Sequence, residues 1–590
     1  MKKLFRLQWV VIVVIVGLTA CQGQTQVAQT EFPTDVITQE MVSTTESVEL
    51  TEVEEAVTST PSPTEVPSAI ISVTTEKDIV DGDTANIDSL AASPGADGLI
   101  SLREAVLAAN GTPDAKRITF SADLMGKVIY LGQEQQYDDP RIYVTGDHIS
   151  IDGDVDGDGV SDITLDGSAL NYNYSSAFIL SASQLTIANL QFEGFQIFAI
   201  AFACVDDYCA DRTYEDIVIK NNRIFSDVGG GGVIFTPLKI VSYMADTTLF
   251  SNISISNIQI LDNTIAVSNG ENGGIFLMAA GAGGSDNHLA DILIEGNTIT
   301  SPGATITVNA ADGSSYYFNI PGDELFSDRN VVERLTILNN QLDPVGIGGD
   351  SARPTGLVMV AANYGNSDNV IREVLVSGNE VSSNAEHFAV FYATNNEVLP
   401  PLPVTTRGAT GNAIENLEIV GNISHADTSA VSLIACAGQD PAPNGATGRI
   451  SQVWIHDNQI LDYKWEGIDI FAGVGEDDNL IEDVVIEDNT FTALDITKGQ
   501  AIFIYAGGCS GCTRLSNGNQ IVDLVIQNNL VNGNDFIFMY GGMEEFASNN
   551  TISYFLGENT LNPPDSTIDI VDFIAKTNDG NQVIALEQAP

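Results

Sequence analysis

The chain has 590 residues, of which 23 are Lys or Arg and 79 Asp or Glu, for a formal net charge of −56. Such a balance excludes a non-specific nucleic-acid binder, which needs a basic footprint, and disfavours docking on anionic membrane surfaces. The 44% hydrophobic content argues against wholesale disorder, and the abundance of Gly, Asn, Asp and Thr argues against a helical fold.

Residues 1–20 read as an export signal: Lys2, Lys3 and Arg6 precede a short apolar core, Val10 to Val16, and then Leu18-Thr19-Ala20-Cys21. The apolar run from Leu7 to Ala20 is short for a transmembrane helix. Leu18-Thr19-Ala20-Cys21 resembles a bacterial lipobox. The resemblance implies cleavage before Cys21, acylation of its thiol and attachment to a lipid membrane, hence an extracytoplasmic lipoprotein at the cell surface or outer membrane. Residues 21–76 hold no Lys or Arg and are rich in Thr, Ser, Pro and Glu, which predicts a disordered tether.

Residues 77–180 read as an N-terminal cap with the first coils. Ser101 to Asn110 is an amphipathic helix, with Leu102, Ala105, Val106 and Ala109 on one face and Ser101 and Glu104 as a capping box. Strands follow at Arg117-Ile118-Thr119-Phe120 and Lys127-Val128-Ile129-Tyr130. Ser101 to Asn110 with Ile118-Thr119-Phe120 resembles the SLREA-type N-terminal module of bacterial β-helix surface proteins. That module often begins with Cys, where this chain has Ile100. The resemblance implies a cap on a right-handed parallel β-helix of the pectin-lyase-like superfamily, and no activity.

Within the same region, Asp154, Asp156, Asp158 and Asp162 occupy loop positions 1, 3, 5 and 9, with Gly159 at 6. The run resembles the DxDxDG calcium loops of extracellular bacterial proteins, which implies a structural Ca²⁺. Position 12 is Leu165 rather than Glu, leaving Asp152 or Asp166 to close the site. The competing reading is a solvated acidic turn.

Residues 181–560 are a repeat. A hydrophobic–x–hydrophobic–x–x–Asn unit recurs with Asn222, Asn263, Asn297, Asn340, Asn379, Asn422, Asn458, Asn489 and Asn529, spaced 31 to 43 residues apart. A second Asn precedes six of the units: Asn287, Asn330, Asn369, Asn412, Asn479 and Asn519. The pattern predicts an all-β fold, a right-handed single-stranded parallel β-helix whose stacked corners form Asn ladders, with inserted loops. Two strands per unit are legible, which argues against a four-stranded propeller blade. Residues 561–590 read as a C-terminal cap or tail.

In the second strand of each unit, Ile275, Leu357, Val431, Ile468 and Ile502 are placed inward. That turns outward Phe276, Val358, Val390, Ser432, Asp469, Phe503 and Phe538, with Met278, Tyr392, Phe471, Tyr505 and Tyr540 two residues on. So apolar a stripe is either roofed by loops or open as a groove for sugars or peptides. In the open case Phe276, Tyr392, Phe471, Phe503, Tyr505 and Tyr540 are the candidate ligand-binding rings.

The best polar cluster is His456, Asp457, Lys464, Glu466 and Asp469. Glu466 and Asp469 are candidate acid and base, and Lys464 a candidate lyase base; the alternatives are binding without catalysis and plain surface. Val453-Trp454-Ile455-His456-Asp457 is superficially similar to the pectate-lyase Trp-Ile-Asp-His motif, but with His and Asp exchanged no role carries over. Export makes loop disulfides the better reading of Cys204–Cys209 and Cys509–Cys512, with Cys436 buried at a strand end. The sequence thus favours a surface lipoprotein that binds an extracellular polysaccharide or protein in an adhesive or scaffolding role. A polysaccharide lyase or glycoside hydrolase acting near Asp469 is the alternative.

Overall fold

The computed structural model describes residues 69–134, 137, 139–170, 175–204, 210–227, 231–239, 251–268, 273–281, 283–311, 326–346, 354–363, 365–396, 408–438, 445–495, 499–508, 516–533, 535–542, 547–571 and 580–590. The export signal, Cys21, Cys209, Cys509 and Cys512 lie outside them. Three long sheets of 15, 13 and 13 parallel strands run along the described chain, and each takes a strand from every turn in sequence order. The chain is therefore a right-handed parallel β-helix whose turns stack in register.

The first sheet carries the repeat motif. Its strands include Thr213–Lys220, Val331–Leu338 and Gly448–His456, and the paired anchors Ile217, Ile219, Leu335, Ile337, Val453 and Ile455 are all inside the core. The third sheet carries the other strand legible in sequence, as in Ser429–Gly438 and Glu466–Val474. The second sheet lies between them, so each turn has three strands rather than two. Its strands are as short as Glu380–Val381 and Ile423–Ser424, too short to show an alternation.

Both Asn series form ladders. In the first, Oδ1 of Asn379 accepts the backbone N–H of Asn340 and its Nδ2, both at 2.9 Å, while Nδ2 of Asn379 donates to Ile337 O at 2.9 Å and to Asn422 Oδ1 at 3.1 Å. The same pattern runs from Asn222 to Asn559. The second ladder links Asn287 to Asn412 and Asn479 to Asn581, with Gly448 between. A Cβ at Gly448 would sit 1.8 Å from Ala435 O, so no Asn fits there, yet its N–H still donates to Asn479 Oδ1 at 2.8 Å.

Each turn also bends through left-handed backbone. One such position falls inside every first-sheet strand of the repeat: Asp216, Asn257, Asp291, Arg334, Glu373, Asn416, Gln452, Asp483 and Asp523, with φ of 52–61°. The ladder pairing skips these residues, as between Glu415↔Ser451 and Leu417↔Val453. The bulge aims their side chains off the regular alternation.

The cap is as expected in part. Helix α2, Leu102–Asn110, has the full capping box, with Glu104 N donating to Ser101 Oγ at 3.1 Å and Ser101 N to Glu104 Oε2 at 2.9 Å. The buried Arg103 bonds Asp78 at 2.7 and 2.8 Å, tying the helix to the chain before it. A six-residue helix α1, Ile87–Ala92, is additional. The coils also exceed the limits expected for the repeat at both ends. Ala69–Val73, inside the expected tether, pairs with Lys116–Phe120, and Gln582–Ala585 closes the first sheet at the other end. Only Ile71 and Val73 of that first strand are buried, too few to stand out among Thr, Ser and Glu. Cys204 and Cys436 are both buried in strands.

Candidate functional site

The third-sheet stripe is placed as the alternation predicts, but most of it is buried. Ile275, Leu357, Val431, Ile468 and Ile502 point inward, and Val390, Ser432, Asp469, Phe503 and Phe538 form one outward column in register. Outward does not mean exposed here: Val358, Val390, Ser432 and Asp469 are buried, as are Tyr392, Phe471, Tyr505 and Tyr540. The rings cover one another. Phe471 stacks on Tyr505 with centroids 4.2 Å apart, and Phe503 stands edge-on to Tyr505 and Tyr540, each at 5.9 Å. Tyr392, Phe471, Tyr505 and Tyr540 thus pack as an outer core rather than an open stacking surface. Phe276 and Phe503 remain half-buried.

Of the expected polar cluster, Glu466 and Asp469 lie on the strand Glu466–Val474 and Lys464 just before it, while His456 belongs to the first sheet. Asp469 is 2% exposed; its Oδ2 accepts Ser432 Oγ at 3.1 Å, and Oδ1 has no hydrogen-bond partner among the described residues. Burial pushes its carboxyl up to about 7, with hydrogen bonds from Ser429 and Ser432 opposing. Lys464 Nζ is paired with Asp427 on the half-exposed rim. Glu466 begins the strand, half-buried, opposite Ser429 and Gln500. Asp469 is thereby a buried carboxyl whose burial favours its protonated form.

In the acidic loop, carboxylate oxygens of Asp154, Asp156 and Asp162 lie within 4.8 Å of one another, and Asp158 stands outside this cluster. Asp154 accepts the N–H of Gly157 at 2.7 Å and of Gly159 at 2.9 Å, and Asp162 accepts that of Val155 at 2.8 Å. Leu165 is buried in the core. Of the two expected substitutes, Asp152 pairs with Arg117 at 2.7 Å, and Asp166 accepts the N–H of Ser168 at 2.7 Å.

An open groove lies on the first sheet, beside His456 and Asp457 of the expected polar cluster. The groove, of about 340 Å³, is lined by two parallel columns across three consecutive turns. The bulge positions Glu373, Asn416 and Gln452 form one, and Leu375, Glu418 and Trp454 the other. Val453 and Ile455 point inward, which turns Trp454 out to 43% exposure. Its indole stacks on His456 at 3.8 Å between centroids, and Nε1 donates to Glu487 Oε1 at 2.9 Å. His456 is held in turn by Asp457 through Nδ1 at 2.8 Å and by Glu418 through Nε2 at 3.1 Å. Trp454 is thus an exposed ring in a fixed orientation, beside two carboxylates and two amides.

No family model and no curated protein matches the chain. Solved structures do resemble it. The Azotobacter vinelandii mannuronan C-5 epimerase AlgE6 A-module is 11% identical, covering 82% of this chain and 94% of that one, with a TM-score of 0.33. An exopolygalacturonase from Thermotoga maritima is 12% identical over 66% and 84%, with a TM-score of 0.30. The Streptococcus pneumoniae surface protein and adhesin PfbA is 9% identical over 78% and 95%, with a TM-score of 0.29. The likeness is confined to the architecture of stacked parallel coils.

The burial of Asp469 has a measurable sign. A carboxyl raised in the folded state stabilises the protein fully below its unfolded value of ~3.9, and that stability is lost as pH rises to about 7. Asp469→Asn is therefore expected to match the wild type at pH 4 and exceed it in urea midpoint at pH 8. An unchanged difference between the two proteins at pH 4 and pH 8 contradicts the assignment.

Proposed function

We propose that this chain is an extracytoplasmic, lipid-anchored β-helix that binds saccharide in the first-sheet groove and does not cleave it. The Trp454 ring carries this reading. An exposed indole held flat by His456 and Glu487 offers apolar contact to a sugar face without the cost of ordering a free side chain. The amides of Asn416 and Gln452 and the carboxylates of Glu373 and Glu418 offer hydrogen bonds along the same groove. The buried Asp469 and the Lys464–Asp427 pair favour binding over the lyase or hydrolase alternative. In this reading acylated Cys21 joins the chain to the membrane, residues 21–68 act as a tether, and α2 with its neighbours is an SLREA-type cap.

The test is retention of the full chain, in detergent, on a panel of immobilised polysaccharides, with assays for new reducing and unsaturated ends. Retention without product is expected. Trp454→Ala, an exposed change, is expected to weaken it roughly tenfold, the equivalent of ~1.4 kcal/mol. Unchanged retention by a folded Trp454→Ala protein, or release of product, overturns the reading.

We infer further that Asp154, Asp156 and Asp162 hold a structural Ca²⁺, since their oxygens already converge and a hard cation would offset their mutual repulsion. Millimolar Ca²⁺ is expected to raise the melting temperature, the binding adding ~2.7 kcal/mol of stability at a hundredfold excess over Kd. Asp162→Asn should abolish most of that gain. A melting temperature indifferent to Ca²⁺ and to chelator removes the site.

A further inference from the structure

The groove has a charge pattern that narrows its ligand. Two of the six side chains in its two columns, Glu373 and Glu418, are carboxylates, and among the described residues none that lines it is a cation. The nearest cations in sequence are already engaged. Arg372, beside Glu373, turns to Glu333 on the preceding coil at 2.7 Å, and Arg449 lies between Glu482 at 2.8 Å and Glu415 at 3.0 Å. Glu418 shares its charge with His456, whereas the Glu373 carboxylate has no ion pair among the described residues. Glu487 and Asp457, which fix Trp454 and His456, add negative charge at the rim.

This arrangement repels a polyuronate, and a neutral glycan gains stacking and hydrogen bonds from its hydroxyls to the carboxylates but no ion pair. A sugar bearing a free ammonium gains more. Neighbouring turns are ~4.8 Å apart, so a saccharide lying along the helix axis over Trp454 passes the Glu418 and Glu373 columns on successive turns. Its ammonium groups would complete charge-assisted hydrogen bonds at Glu373, and they are attracted by the face of an aromatic ring as well.

We propose that the groove selects glycans carrying unacetylated amino sugars, with Glu373 as the carboxylate that reads the ammonium and Trp454 as the stacking platform. This rests on the groove being a saccharide site, and it names the class of saccharide.

The test uses the full chain in detergent at pH 6 and measures affinity for oligoglucosamine, its fully N-acetylated counterpart, oligogalacturonate and oligolysine. Oligoglucosamine is expected to bind at least tenfold tighter than the N-acetylated oligomer, with an affinity that falls as salt rises. Glu373→Gln is expected to remove most of that preference by weakening oligoglucosamine far more than the N-acetylated oligomer; Trp454→Ala should weaken both to a similar degree. Because Glu373 is an exposed bulge residue, the Gln variant keeps its shape, and its melting temperature verifies that. Equal affinity for the two oligomers, or a preference untouched by Glu373→Gln, overturns the amino-sugar inference and leaves saccharide binding standing. Failure of every saccharide to bind overturns both. Oligolysine binding as tightly as oligoglucosamine, with the same dependence on Glu373 and Trp454, overturns the sugar assignment in favour of a basic peptide.

Discussion

The structure depends on a hydrogen bond repeated from turn to turn. At each corner an Asn Oδ1 takes two donors from the turn before, its backbone neighbour's N–H and side-chain N–H, while its own Nδ2 returns to a carbonyl of that turn. A polar side chain buried at this density is tolerable only when every donor and acceptor is matched. Because the rung fixes both height and register, the loops between rungs vary freely, which explains repeats of 31 to 43 residues on a constant coil. It also fixes which side chains of consecutive turns stand side by side. The groove exists only because Glu373, Asn416 and Gln452 are brought into one column by that register.

The negative charge acquires a structural origin in the same corners. Left-handed backbone is costly for most side chains and easier for Asp, Asn and Gly. Each turn bends through it several times, and Asp or Asn fills most of those positions. Among the described residues thirteen of those positions are Asp, so part of the −56 charge follows from how the chain turns. Several of the few cations pair between turns, as where Arg334 bonds Asp291 and Arg329 bonds Asp286. What is left facing outward in the groove is carboxylate, and the ligand class proposed for it follows from that remainder.

The regular parts of this architecture were legible in the residues. Asn340 and Asn379 mark the ladder, Ile217 and Ile219 the inward face, and Ser101 with Glu104 the capping box, because each is a local pattern with a local cause. Glu380–Val381 was not legible, since two residues carry no period. Nor was the burial of Asp469: alternation tells which side of a sheet a residue faces, and not what packs upon that side. Trp454 was visible as an odd residue within a hydrophobic–x–hydrophobic unit, but its neighbours Glu373 and Asn416 come from earlier turns. Only the three-dimensional register joins them.

The account's central claim is that the Asn rungs hold successive turns, and with them the groove, in place. Asn422 is the decisive rung, because its Oδ1 takes Asn379 and its amide meets Asn458 Oδ1 at 2.9 Å, directly beneath the turns that carry Glu418 and Trp454. Amide hydrogen exchange on Asn422→Ala, against the wild type, measures this. The account predicts faster exchange in the turns holding Asn379, Asn422 and Asn458, falling off toward either end of the coil, with stability lowered by ~2–4 kcal/mol from donors left unmatched. Exchange in those three turns identical to that of the wild type would contradict it.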